Sequence, residues 1–253
     1  MAPRGLKKII KDTIRAKLVG KGKWKAFQAI SNGVPNGHKL RGLTKALESN
    51  SWSSGALPRI ATQSKVQRGG WKGRGGGRRR GAAVDAQLTR AVNSGKIQPS
   101  DGQYNLTKLA LAALARHGLE PVACQRAVCS PRHRIGTAID LLAYEKQSAK
   151  LVVVELKCGH SGSKTAAARK DGENCHMQPP LSRALDSTLN RHLAQLAVTR
   201  ELLVREADTL GKLQAIGVEG IDAVLLYVDD ANTTLYRCPN WWTSRALRIL
   251  DAI

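Results

Sequence analysis

The stretch GTAIDLLAYEKQSAKLVVVELKCG, residues 136–159, constrains the fold of this chain more than any other. Its apolar runs are short and rich in β-branched residues, and a polar turn over residues 146–150 separates them. Such runs make strands rather than helices. The segment predicts one strand over residues 134–145 and a second over residues 151–157. Asp140 is the one acid inside the first run. In the second, Glu155 and Lys157 share a face because side chains alternate along a strand. If the two strands pair, Asp140 can lie beside them. Isolated buried charges are costly, so two carboxylates and an ammonium at the end of apolar strands point to a binding site. Two carboxylates and the backbone carbonyl of Leu156 suit a hard, octahedral cation such as Mg²⁺. A lysine beside them can hold or polarise a metal-bound water.

The flanking sequence supplies the rest of a domain. Residues 82–95 predict a helix with Val84, Leu88 and Val92 on one face and Gly95 at its end. A second apolar helix spans residues 106–118 and a strand residues 120–129; residues 130–134 make a basic turn. The three strands follow one another through short connections, as in an antiparallel meander. Residues 160–181 are polar and irregular. A loop of that length beside Lys157 is expected to line the site, with Lys164, Arg169 and Lys170 as phosphate contacts. The longest helix is expected over residues 182–208, capped by Ser182. Leu185, Leu189, Leu193, Leu196 and Leu203 form its buried stripe, and Thr188, His192, Gln195 and Thr199 a polar one. Residues 221–228 read as a buried strand, 233–237 as its return, and 240–253 as a closing helix. Asp229 and Asp230 between the strands are better explained by a turn than by a metal. The fold class is α/β, a central mixed sheet flanked by helices.

An acid, a gap and Glu-x-Lys on a strand, followed by a helix carrying Gln195-Leu196, resembles the PD-(D/E)xK nuclease superfamily over residues 81–253, and within it the RecB/lambda-exonuclease-like branch. Ile139 stands where the superfamily's name has proline, and Thr199 where the branch has tyrosine. The resemblance implies a restriction-endonuclease-like αβββαβ core and hydrolysis of DNA phosphodiester bonds with Mg²⁺ or Mn²⁺. Its implied catalytic set is Asp140, Glu155, Lys157 and Gln195, with Asp140, Glu155 and the Leu156 carbonyl on the metal. Asp85 is a further metal candidate, because a helix before the strands often contributes an acid. A first-turn acid favoured by the helix dipole is the competing account. His192, one turn before Gln195, is either a contact to the scissile phosphate or a solvent-facing histidine.

Charge adds a partner class. The chain carries 41 Lys and Arg against 19 Asp and Glu, a net of +22. Residues 1–81 hold 20 of the bases and only 2 of the acids, so nearly all the excess is N-terminal. Residues 1–47 read as a basic helical arm: Leu6, Ile9, Ile10, Ile14 and Leu18 have helical spacing over residues 3–20, and residues 38–47 predict a second helix. Such a helix packs on its own domain, binds nucleic acid, or serves as a targeting or membrane-surface helix. Residues 48–81 read as a Gly/Arg-rich linker, and residues 82–253 as the nuclease-like domain. Arg68, Lys72, Arg74, Arg78, Arg79 and Arg80, clustered around Trp71, would neutralise phosphates without reading sequence. DNA is the expected partner and RNA the alternative. No apolar run is long enough to span a membrane. Five scattered cysteines suggest a reducing intracellular compartment, whether nucleus, virion, organelle or bacterial cytoplasm. Cys158, His160, Cys175 and His176 invite a zinc reading, but their spacing is not that of usual structural zinc sites. The alternative to catalysis is a packaging or architectural protein that binds nucleic acid on a nuclease-like fold.

Overall fold

The structure is a computed structural model. It describes residues 1–13, 16–19, 26–31, 34–50, 76–100, 102–158, 176–206 and 209–253. In chain order the elements are α1 (Leu6–Thr13), β1 (Ala16–Val19), β2 (Ala26–Ser31), β3 (Val34–Gly42), α2 (Leu43–Asn50), α3 (Gly76–Ser94) and α4 (Asn105–Arg116). There follow β4 (Leu119–Ser130), β5 (Ile135–Glu145), β6 (Lys150–Cys158), α5 (Thr188–Arg205), α6 (Thr209–Gln214), β7 (Gly220–Val228), β8 (Thr233–Arg237), α7 (Asn240–Thr243) and α8 (Ala246–Asp251).

The fold is α/β, with a mixed open sheet flanked by helices. Strands β4, β5 and β6 form an antiparallel meander. Strand β7 lies parallel to β6 and β8 antiparallel to β7. A parallel neighbour needs a crossover, and α5 and α6 supply it. Residues Leu151–Val154 are apolar on both faces because both faces are covered. Val153 joins a core with Leu142, Leu196 and Ile249, while Val152 and Val154 join another with Leu88, Leu111 and Leu114. Helices α3 and α4 therefore cover one face of the sheet, and α5 and the C-terminal helices the other. Gly118, at φ +67°, ends α4 in the left-handed conformation that favours glycine.

The expected helix over residues 182–208 begins later, at Thr188. Its cap is Ser187, whose hydroxyl accepts from Asn190 N–H at 3.2 Å, and not Ser182. The reason lies in side chains. Asp186 is buried and takes Arg191 Nε and Nη2 at 2.6 and 2.7 Å, a two-pronged ion pair that fixes the first turn. The chain before it is held by Met177 N–H to Ala184 O at 2.9 Å and by a bridge between His176 and Leu185. The C-terminal helix also divides, into α7 and α8.

The N-terminal expectations change most. The helix expected over residues 3–20 is α1 followed by strand β1, and residues 38–42 belong to β3 rather than to a helix. Strand β3 pairs parallel with β5 at Arg41↔Ile135 and Gly42↔Gly136. Leu6, Ile10, Leu43, Ala46 and Leu47 are buried in the same core as Leu142 and Leu196. Of the three readings of the amphipathic N-terminal helix, α1 is thus the packed one: its apolar stripe is covered by α6 and β4. The expected linker also ends earlier, since α3 begins at Gly76. Residues 51–75 lie outside the described residues.

A detachable arm could lose an apolar side chain without cost. Leu6→Ala is instead expected to destabilise the protein by about 2–4 kcal/mol, the usual range for a buried leucine. Urea denaturation of the full chain measures this, and an unchanged midpoint would return α1 to the status of an appendage.

Candidate active site

The site forms where β5 and β6 part. They are paired from Glu145↔Lys150 to Leu141↔Val154. One further step in that register would set Asp140 opposite Glu155, but the ladder stops. Beyond it β6 continues with β7 alone as far as Cys158, while β3 takes the edge of β5 at Ile135 and Gly136. The N–H of Leu156, which no strand partner receives, donates to Asp140 Oδ2 at 2.9 Å. A carboxylate here replaces a backbone carbonyl.

The side-chain alternation also slips at this point. Ile139 belongs to the core under α5, Leu141 to the core under α3, and Leu142 to the first again. On β4 the residue between the pairs Cys124↔Leu141 and Arg126↔Ile139 is Gln125, which has φ +50°. A non-glycine residue in that region costs on the order of 1 kcal/mol and is commonest near functional sites.

From the other side of the fork come β6 and α5. Glu155 is only 3% exposed. Its Oε1 accepts from Lys157 Nζ at 2.6 Å and from Gln195 Nε2 at 2.7 Å. Gln195 lies in the middle of α5, where Thr199 Oγ1 donates to its carbonyl at 2.8 Å. The amide fixes one carboxylate oxygen without adding charge. Asp85 approaches from α3.

The electrostatics tie these groups together. Burial, the Glu155 charge and Asp85 hold Asp140 well above the usual carboxylate range, against the opposing pull of Lys157 and the Leu156 N–H. Burial and Glu155 push Asp85 up to about 6. Burial works against the Lys157 ammonium, but Glu155, Asp140 and Asp85 outweigh it and raise its pKa above 10.5. The acids around Lys157 therefore favour its charged form. Cys158, the next residue, lies in the field of Asp85, Asp140, Arg80 and Lys157. Burial first, then the two aspartates, push its thiol up to about 12.

No protein-family model matches the chain, and no curated protein matches it. The functional reading consequently stands on the geometry.

That geometry brings Asp140, Glu155, Lys157 and Gln195 into one connected set, with Asp85 beside them. Among the described residues, no three His, Cys, Asp or Glu side chains form a ready-made metal-binding group. Glu155 Oε1 is already occupied by Lys157 and Gln195, so a cation there competes with the ammonium for this carboxylate. The donor chemistry still suits a hard divalent ion: Asp85 and Asp140 both feel the Glu155 charge, and a positive ion would relieve that repulsion.

Other candidates fall elsewhere. His192 Nδ1 is 2.8 Å from the Tyr227 hydroxyl, a fully buried group on β7, so this ring nitrogen faces the protein and not a phosphate. Sequence reasoning missed Tyr227 because it sits in the apolar run IDAVLLYV and reads as core. Arg78, Arg79 and Arg80 lie in the first turns of α3, not in a linker. Arg68, Trp71, Lys72, Arg74 and Lys164, with His160 and Cys175, lie outside the described residues. Of the zinc candidates, Cys158 ends β6 and His176 is exposed and bridged to Leu185. Asp229 is the expected turn residue, its Oδ1 accepting from Ala231 N–H at 2.9 Å and Asn232 N–H at 2.6 Å.

The raised Asp85 carboxyl has a defined linkage. Its proton is held more tightly in the folded than in the unfolded chain, so stability falls as pH rises from about 4 to about 6 and stays lower above that. Asp85→Asn is expected to stabilise the protein at pH 7.5 in chelator by about 1–2 kcal/mol. A shift of this size corresponds to at most ~3 kcal/mol, discounted here for partial exposure. Chemical denaturation at pH 4 and pH 7.5 checks it: the gain should appear only at the higher pH.

Proposed function

We propose that this chain is a metal-dependent nuclease that hydrolyses phosphodiester bonds in DNA. One observation carries the reading: Asp140, Glu155 and Lys157 meet at a fork between neighbouring strands, with Gln195 bound to Glu155 from the crossing helix. The element order α3-α4-β4-β5-β6-α5-α6-β7 supports a restriction-endonuclease-like core once α4 and α6 are set aside as insertions. In this reading Asp140, Glu155 and the Leu156 carbonyl hold Mg²⁺ or Mn²⁺, with Asp85 as a further acid. The bound ion supplies a Lewis acid for the phosphate and a water of lowered pKa.

The chain's own residues set up the rest. Gln195 holds Glu155 through one oxygen and leaves the other available. The Leu156 N–H fixes Asp140 in the same way. Lys157, kept charged by three acids, stabilises negative charge developing on the phosphate and orients the attacking water. The basic N-terminal third adds sequence-independent affinity through counterion release. A purely architectural role on the same fold would use this affinity and leave Lys157 idle.

The test is cleavage of linear and circular DNA, single- and double-stranded, with Mg²⁺, with Mn²⁺ and with EDTA. Lys157→Ala and Glu155→Gln should each lower cutting by about 10²-fold or more while leaving DNA affinity within about twofold, since positive charge elsewhere supplies most of the binding. Linear substrate consumed while circular substrate survives would make the enzyme an exonuclease. Cutting that survives EDTA, or equal cutting by the variants, would sink the proposal. Tight, salt-sensitive binding without any cutting would favour the architectural role.

A further inference from the structure

The start of α3 breaks the rules for a helix start. An α-helix N-terminus favours acids and disfavours cations, yet α3 has no acid in its first turn and carries Arg78, Arg79 and Arg80 within its first five residues. Gly81 follows inside the helix, where glycine is unfavourable relative to alanine. Packing does not require it: a Cβ at Gly81 would meet nothing within 4 Å. Local choices that oppose the fold without a structural return are commonest where a ligand is bound.

Arg80 adds an independent observation. Its side chain is only 14% exposed, and its Nε is buried with no hydrogen-bond partner. Asp230 lies 3.8 Å from Nη1, too far for a hydrogen bond, and is itself 41% exposed. A buried guanidinium N–H without an acceptor is costly. Asp230 follows the end of β7 by two residues, and there Val228 is paired with Cys158 at the end of β6, so the arginine stands by the strand end that carries Lys157.

We propose that Arg80 and the open backbone at Gly81 form a built subsite for one phosphate of the nucleic-acid strand, seating that strand against the acid cluster. The subsite rests on the nucleic-acid reading above and deepens it. Arg80 is placed here as a phosphate ligand fixed by the fold, rather than as part of a mobile polycation. A guanidinium offers a phosphate two parallel donors, which an ammonium cannot. Glycine at position 81 lets the phosphate backbone come close to the helix.

The experiment measures binding of a short single-stranded DNA by the full chain across a salt series, together with cleavage. Arg80→Gln should weaken binding by roughly 5- to 20-fold and reduce the log–log salt slope by about 0.7, the share of one phosphate on a single strand. In cleavage it should raise KM more than it lowers kcat. Arg80→Lys should restore the salt slope but less than half of the lost affinity. Gly81→Ala should raise Tm by about 2–4 °C, as alanine does inside a helix, and still weaken binding. That combination separates the subsite from a structural role, and it keeps the test open if Arg80→Gln fails to fold. An unchanged salt slope in Arg80→Gln, or full binding in Gly81→Ala, overturns the subsite. A wild-type chain that binds no nucleic acid removes this inference and the architectural reading together, while a wild-type chain that binds without cutting removes the nuclease alone.

Discussion

The hydrogen bond from Leu156 N–H to Asp140 Oδ2 lets two neighbouring strands separate inside a sheet. A buried backbone N–H left without an acceptor costs about 1–3 kcal/mol, so a strand can leave its partner only where something replaces the lost carbonyl. Asp140 supplies that replacement from its side chain. Once β6 is released from β5, Glu155 and Lys157 are carried past the end of the ladder on a strand still supported by β7. The acid that holds the fork is also the acid exposed by it. An asparagine could make the same bond, but it could not bring the negative charge that helps hold the Lys157 ammonium.

Much of this was legible from the sequence because strand geometry is periodic and the connecting turn is short. With Glu145 paired to Lys150 across that turn, counting back places Asp140 opposite Glu155, and the two-residue alternation puts Lys157 on the face of Glu155. Helical spacing placed Gln195 on a polar stripe with Thr188, His192 and Thr199, and only the family resemblance singled it out among them. The start of its helix was not legible, since Ser182 and Ser187 look alike as caps. Only the buried Asp186–Arg191 pair chooses between them, and that contact has no one-dimensional signature. Tyr227 was hidden for a related reason: its ring belongs to the core, and only its hydroxyl reaches the site helix at His192.

Composition misled most where it was most extreme. The density of lysine and arginine in residues 1–47 suggested an arm, but net charge speaks to partners and solubility, not to whether a segment is packed. Five buried apolar residues suffice to fasten α1 and α2 to the domain, and the basic residues beside them face outward at Lys7, Lys8, Lys11 and Lys45. The same bias made the Gly/Arg tract look uniform. Its last residues are helical, and the side chain of Arg80 is largely buried.

Charge balance separates a site of this kind from a structural ion pair. A structural pair closes on itself, as Asp186 and Arg191 do, one carboxylate against one guanidinium with both oxygens used. Around Lys157 the sum does not close. One ammonium faces Glu155, Asp140 and Asp85, and two of these acids are driven toward their protonated forms. Protons can settle that excess at low pH. With all three acids ionised, the cluster lacks two positive charges. A divalent cation carries that deficit in one ion, and oxygen donors are what a hard cation takes. Such repulsion among buried carboxylates costs stability, and a protein that needed only a stable sheet end could avoid it with a single neutral side chain at Asp85.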